Sequence, residues 1–287
     1  MKQIYKLIKY RLFDKNFWIE SNVLSRILFF ILKRFLCYFI LIRNYFFLTN
    51  NQKQLAKFKN IHNGKTVYIF GNGPSLKDIN LDKFKDEITF ASNKIFLLFD
   101  FFTWRPTYYT VEDDLVLKQN KKQIYGLEVK NILFPYTSIL YLKKLSKIIY
   151  FNFFQNSFFD AMPKFSNNPI SGLYWGGSVI YTQIQLAAFM GAKKIILLGV
   201  DFNFNIPSSY ENSTKTIVSS GEINHFSPEY RKKGEKWNIP NLDLQEKSYE
   251  KVLDYCQTNN IEIYNATRGT HLKIIPKTEL NQCFYLH

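Results

Sequence analysis

Residues 66–76 read TVYIFGNGPSL, an apolar β-type run that breaks into Gly71-Asn72-Gly73-Pro74-Ser75. A buried strand that turns through glycines into a helix is where α/β proteins hold phosphate compounds. What the turn lacks narrows the choice of compound. Its spacing is G-x-G-x-x-L, so the third glycine of the dinucleotide fingerprint is missing. The next strand ends Ala91-Ser92-Asn93, with no carboxylate for a ribose hydroxyl. No Gly-Lys-Ser/Thr follows, which excludes a Walker-type loop. Pro74 suits the first turn of a helix, and Ser75 is expected to leave the early amides open to an anion. Asn72 and Asn93 end neighbouring strands, at the edge where open α/β sheets bind ligands. Their carboxamides both donate and accept, which fits a neutral ribose or base edge. The plainer alternative is a strand–turn–helix corner that needs glycine for positive φ.

The same pattern repeats outward from this stretch. Strands are expected at 66–70, 88–92, 107–112, 131–135, 147–151, 194–199 and 261–265, and helices at 78–86, 114–124, 137–146, 172–190 and 243–259. Near-continuous apolar strands alternating with helices indicate an α/β fold, a doubly wound and mostly parallel sheet. Residues 203–241 are polar, rich in Gly, Pro, Ser and Asn, and too long for a plain connection, so they read as a lid.

The formal charge of +15 over 287 residues is uneven. Residues 1–60 hold twelve Lys/Arg against Asp14 and Glu20, a surplus of +10, which leaves +5 for residues 61–287. Within VLSRILFFILKRFLCYFILIRNYFFL (23–48), Arg26, Lys33, Arg34 and Arg43 interrupt every apolar run, so a spanning helix and a signal peptide are both poor fits. On a helical wheel the four cations fall within about 180° of arc opposite an aromatic-rich face, the pattern of an interfacial helix on an anionic membrane. The alternative is a helix packed on the rest of the chain or on a second subunit of a homo-oligomer. The chain thus divides into a basic amphipathic segment with linker (1–60) and a nucleotide-binding domain (61–287). Charge confined to an apolar helix does not indicate nucleic acid. Cys37, Cys256 and Cys283 are widely spaced and form neither a disulfide framework nor a metal motif, which fits a reducing cytoplasm.

A second constellation, ISGLYWGGSVIYTQIQLAAFMGAKKIILLGVDF, spans 170–202. Ser171 reads as the N-cap of a helix that stops at Gly191, with Gly172, Gly176 and Gly177 keeping its first turns thin. Gly177 is best explained by packing. Asp201 follows the next strand at the ligand edge, as a catalytic or orienting carboxylate or as a cap for the loop beyond. His225 and His271 are the candidate general bases, His225 favoured by its place in the long polar loop. Arg268, after the last strand, is a candidate partner for a phosphate or carboxylate.

IFGNGPSLKDI, FASNKI, SGLYWGGSVI…AAFMGAKKIILLGVDF, SSY and NHFSPEY together resemble the bacterial sialyltransferases of surface glycans. They are still more similar to the related family named for the archaeal 6-hydroxymethylpterin diphosphokinase, which includes the motility accessory factors. The resemblance covers about residues 65–276 and implies a Rossmann-like nucleotide-binding domain with a lid. It implies a glycosyltransferase moving a sugar from a nucleotide-activated, CMP-linked donor, with inversion and without a bound metal. Gly71, Asn72, Gly73, Ser75, Asn93, Ser171 and Gly172 would hold the nucleotide, Tyr210 would donate to the departing phosphate, and His225 would deprotonate the acceptor hydroxyl. A surface-glycan or lipid-linked acceptor would place the enzyme on the inner face of the cytoplasmic membrane. Three departures stand out: Asn203 follows Asp201-Phe202 in place of tyrosine, Pro169 stands where the sialyltransferases have arginine, and the third strand ends Glu112-Asp113-Asp114 in place of asparagine. The carboxylates are candidate phosphate or acceptor contacts. With Mg²⁺ on Asp113 and Asp114 they also allow the alternative, a diphosphokinase acting on a pterin-like alcohol.

Overall fold

The computed structural model describes residues 49–143, 145–154, 163–206 and 216–281. The chain divides into two compact units, Met1–Lys53 and Gln54–His287. The basic apolar stretch 23–48 lies outside the described residues. Among the described residues no helix is long and apolar enough to cross a membrane.

The described chain opens with helix α1 (Asn50–Ala56), and all seven expected strands then form one sheet. In chain order the elements are β1 (Thr66–Phe70), β2 (Ile88–Ser92), β3 (Tyr108–Thr110), α2 (Asp114–Gln119), α3 (Lys121–Gly126), β4 (Asn131–Pro135) and β5 (Ile148–Phe151). The short β6 (Phe153–Phe154) and β7 (Leu173–Tyr174) precede α4 (Val179–Phe189) and β8 (Lys194–Leu198). Then come β9 (Thr216–Val218), β10 (Lys236–Asn238), α5 (Leu242–Thr258) and β11 (Glu262–Asn265). The sheet order is β11-β8-β1-β2-β3-β4-β5, and every neighbouring pair is parallel. The chain winds outward from β1 to β5, returns to the other side of β1 as β8, and ends at β11. The topological switch point therefore lies between β1 and β8.

Alternate side chains of each strand enter opposite cores. Val67, Ile69, Phe90, Leu133, Ile195 and Leu197 pack with Ile180, Ile184 and Leu186 of α4 and Tyr249 and Val252 of α5. Tyr68, Phe70, Ala91, Tyr109, Ile132, Phe134 and Leu198 pack with Leu76, Leu81, Phe84, Trp104, Leu117 and Ile124. Burial on both faces is why these strands read as nearly continuous apolar runs.

The helices depart from expectation where local capping intervenes. The helix expected at 78–86 is two 3₁₀ turns, Pro74–Asp78 and Leu81–Phe84, with Asn80 Oδ1 capping the second through Asp82 N at 3.0 Å. The one at 114–124 breaks at Asn120, whose Nδ2 turns back to donate to the Val116 carbonyl at 2.9 Å. At 137–146 there is only the 3₁₀ turn Tyr136–Leu140. The helix expected at 172–190 starts at Val179, because Gly177 sits at φ 83°, which no helical turn accepts, and Leu173–Tyr174 pair with β6 instead. Ser178, not Ser171, is its N-cap and accepts from Ile180 N at 3.3 Å. A side chain on Gly177 would press on Gln245 of α5, so its packing role is against a helix and not the sheet. Gly191, at φ 85°, does follow the C-terminal cap Met190.

Ser178→Ala should cost about 1 kcal/mol in chemical denaturation, the usual worth of such a cap, whereas exposed Ser171→Ala should be nearly neutral. Equal losses would contradict this helix start.

Candidate active site

The glycine turn is built for contact between backbones. Gly71 N donates to Leu198 O at 2.7 Å and Gly73 N to Gly199 O at 2.9 Å, so the exit of β1 is zipped to the exit of β8. Neither glycine has a positive φ. A Cβ on Gly71 would overlap the Gly199 carbonyl, and one on Gly73 would overlap the Asp201 carboxylate. Close approach is the reason for both glycines. Pro74 takes the first position of the 3₁₀ turn, as the sequence indicates. The Ser75 amide, however, is not open: it donates to Asp201 Oδ1 at 3.1 Å, while Ser75 Oγ donates to Oδ2 at 2.8 Å. The chain's own carboxylate fills the place expected for an anion. The next residue, Phe202, is held at φ 54°, in the left-handed region that bulky side chains avoid. With both oxygens engaged, Asp201 orients the turn.

The polar groups this clasp leaves free lie at the exits of β1, β2 and β3. Asn72 Nδ2 donates to Ser92 Oγ at 3.1 Å, and its buried Oδ1 has no partner. Asn93 sits at φ 53°, its carbonyl held by Tyr109 OH at 2.5 Å, and its buried Oδ1 also has no partner. Residues 225–231 dock over these two exits. Phe226 N donates to Asn72 O at 3.1 Å, and the buried Tyr230 hydroxyl is hydrogen-bonded by the Lys94 backbone and the Asn93 carboxamide. The His225 ring stacks on Tyr230, centroids 3.8 Å apart and 6° from parallel. Burial first, then the positive charges of Arg231 and Lys94, hold the His225 pKa well below 6.5, so the imidazole is neutral. Lys94, only 6% exposed, pairs with Glu235 at 3.0 Å. Gln119 Nε2 donates to Lys236 O, and Asn238 Nδ2 lies 3.4 Å from both Asp113 oxygens, anchoring the antiparallel β9–β10 pair to the β3 side.

At the exit of β3, Glu112 Oε2 accepts from Thr182 Oγ1 of α4 at 2.6 Å, with Trp175 as a second hydrogen-bond partner. Burial pushes the Glu112 pKa up to about 7; the Thr182 bond opposes the rise and the neighbouring Asp113 charge adds to it. Asp113 is raised by burial as well, although it caps α2 through Leu115 N at 2.8 Å. Asp114 is turned to Lys118 at 3.3 Å. Among the described residues no three His, Cys, Asp or Glu side chains converge as a metal site.

Not every expected residue joins this cluster. Ser171 is exposed and Gly172 packs on Phe154; Asn152, just past the end of β5, donates to the carbonyls of Ile170 and Ser171. That strand lies roughly 14 Å from β2 at normal strand spacing. Trp175, not 171–172, reaches the site. Arg268 and His271 are exposed beyond edge strand β11, where His271 N donates to Asp201 O at 2.8 Å. Tyr210 lies outside the described residues. Lys94, Trp175, Thr182 and Tyr230 lie inside the quoted motifs without a role assigned to them, and Arg231 follows directly after NHFSPEY. Its signal was Asn224–Arg231, which places a histidine, two aromatics and an arginine in eight residues of otherwise polar loop.

Residues 41–207, more than half of the chain, match the family described as 6-hydroxymethylpterin diphosphokinase MptE-like. The chain belongs to this family. The match takes in Asn72, Asn93, Glu112 and Asp201 and stops before the His225–Arg231 segment, so the MptE-like part supplies the strand exits. Among solved structures, the MAf glycosyltransferase from Magnetospirillum magneticum AMB-1 is 14% identical, at a TM-score of 0.46 over 79% of this chain and 38% of that one. The MptE-like chain thus spans well under half of that structure. No curated protein matches it.

The raised Glu112 pKa fixes a sign. The folded state binds this proton more tightly than the unfolded chain, so its contribution is full below pH 4.5 and is lost as pH rises to about 7. Glu112→Gln keeps an acceptor for Thr182 and removes the penalty. Denaturant unfolding should show the variant gaining at most about 3 kcal/mol relative to wild type between pH 5 and pH 8. A difference independent of pH would refute this reading of Glu112.

Proposed function

We propose that this MptE-like chain is a glycosyltransferase that moves a sugar from a nucleotide-activated donor, a CMP-linked acidic sugar being the leading candidate, to a surface-glycan or lipid-linked acceptor. The observation that carries it is the pair of unpartnered carboxamide oxygens, Asn72 Oδ1 and Asn93 Oδ1, of the two residues that the His225–Tyr230 segment hydrogen-bonds. Buried acceptors without donors are costly, and a ribose or base edge supplies donors. In this reading His225 takes the proton of the acceptor hydroxyl, Tyr210 donates to the leaving phosphate, and Asp201 only holds the turn. Neutral imidazole is the form a general base requires.

A thermal-shift screen of nucleotides and nucleotide sugars, with and without Mg²⁺, tests the donor. The expected result is a CMP-type shift that survives chelation. His225→Ala should lower transfer by a hundredfold or more, within the usual range for a general base, and leave donor affinity nearly unchanged. Full activity in that variant would remove His225 from the mechanism.

A diphosphokinase acting on a pterin-like alcohol is the second reading, favoured by the raised pKa values of Glu112 and Asp113 and by the family's description. Neighbouring buried carboxylates are relieved by a cation, and Mg²⁺ commonly takes one or two carboxylates plus substrate phosphates. Bound there, Mg²⁺ would neutralise phosphate charge. An ATP shift that needs Mg²⁺ and is lost in Asp113→Asn would replace the first reading with this one.

The basic segment 23–48 is proposed to hold the enzyme on an anionic membrane surface at the cytoplasmic face. Full-length protein should co-sediment with phosphatidylglycerol vesicles and be released by high salt or by replacing Arg26, Lys33, Arg34 and Arg43 with glutamine. Equal sedimentation of the quadruple variant would refute the electrostatic anchor.

A further inference from the structure

The glycine turn has no anion site left, yet a nucleotide donor brings an oxyanion. Arg231 has the features such a group needs. Its guanidinium lies 3.6 Å from the centre of the Trp237 ring, a stack that fixes the plane of its donor fork. Its Nη1 is buried and has no hydrogen-bond partner. Glu222, Asp113 and Glu235 act on it only through space, and Glu235 is itself committed to Lys94. A cation withdrawn from water without a paired anion is expensive, and a guanidinium answers that cost best with a planar or tetrahedral oxyanion held bidentately. The other cations do not compete: Lys94 is neutralised by Glu235, and Arg268 is exposed beyond β11.

We propose that Arg231, braced on Trp237, is the oxyanion seat of the active site, on the segment whose Phe226 and Tyr230 hydrogen-bond Asn72 and Asn93. The oxyanion is the phosphate of the nucleotide or the carboxylate of an acidic sugar. Its identity rests on the transferase reading given above, but the seat itself does not. The ligand it predicts presents hydrogen-bond donors at one end and an oxyanion at the other, as a nucleotide does. Arg231 contributes binding and orientation of that group, and no bond is made or broken at it.

Calorimetry with inorganic pyrophosphate on the full chain tests the seat. Arg231→Gln should weaken binding about 10- to 100-fold, the worth of one or two hydrogen bonds to a charged group. Wild type should bind CMP more tightly than cytidine by a similar factor, and Arg231→Gln should erase that preference. Wild-type protein supplies an arm that needs no variant: pyrophosphate should protect Arg231 from phenylglyoxal, read by peptide mass spectrometry, while exposed Arg268 stays reactive. Absence of binding of both pyrophosphate and free sialic acid, an unchanged affinity in folded Arg231→Gln, or no protection of Arg231 by either anion would each overturn the seat. Arg231-dependent binding of pyrophosphate without binding of any nucleoside monophosphate keeps the seat and ends the nucleotide reading. Free sialic acid protecting Arg231 where pyrophosphate does not would assign the carboxylate as its ligand.

Discussion

Two hydrogen bonds from Ser75 to the Asp201 carboxylate fasten the exit of β1 to the exit of β8, and the rest of the site follows from that clasp. Open α/β sheets bind ligands where their winding reverses, and here the reversal falls between those two strands. The chain closes the crevice with its own anion. Burial raises the Asp201 pKa and the two Ser75 bonds oppose that rise, so the carboxylate depends on the turn as much as the turn depends on it. Gly71 and Gly73 are required because the clasp brings backbone and carboxylate too close for any Cβ. A phosphate brought to this turn would meet a buried carboxylate already holding the amide.

The consequence is a division of labour along the sheet edge. The exits of β1 and β2 offer neutral carboxamides, and the exit of β3 offers a carboxylate whose pKa lies near 7. Arg231, on the segment that docks across them, brings a half-buried positive charge with no hydrogen-bonded anion. The family match ends before that segment, at residue 207. The matched part of the chain therefore supplies the frame and the neutral or acidic edge, while His225 and Arg231 lie on the segment beyond it.

The sheet was legible in the residues because each strand is buried on both faces, so apolar runs such as TVYIF and KIILL mark strands directly. Starts of helices were less legible. Ser171 and Ser178 have equal capping chemistry, and only the left-handed Gly177 between them decides which one caps. Asn72, Asn93 and His225 were accessible from sequence because strand ends and a polar loop point to the ligand edge. Ser75 was misread because the filling of its amide depends on Asp201, 126 residues away, and spacing says nothing of that pairing. Arg231 was invisible for the opposite reason. A lone arginine in a polar loop looks solvated until the fold lays it on Trp237 and removes its Nη1 from water.

The placement of Arg231 also bears on how His225 works. Its low pKa comes from burial and from the charges of Arg231 and Lys94, of which Lys94 is already compensated by Glu235. An oxyanion on Arg231 cancels the remaining charge and so raises the proton affinity of the imidazole stacked on the adjacent Tyr230. In the proposed transferase the histidine would be a poor base before the anion arrives. Once it is seated, the same ring would become a better one, at the moment when an acceptor hydroxyl would need its proton removed. On that proposal the base would be strongest only with a donor present, a coupling that follows from the charges placed around one buried ring.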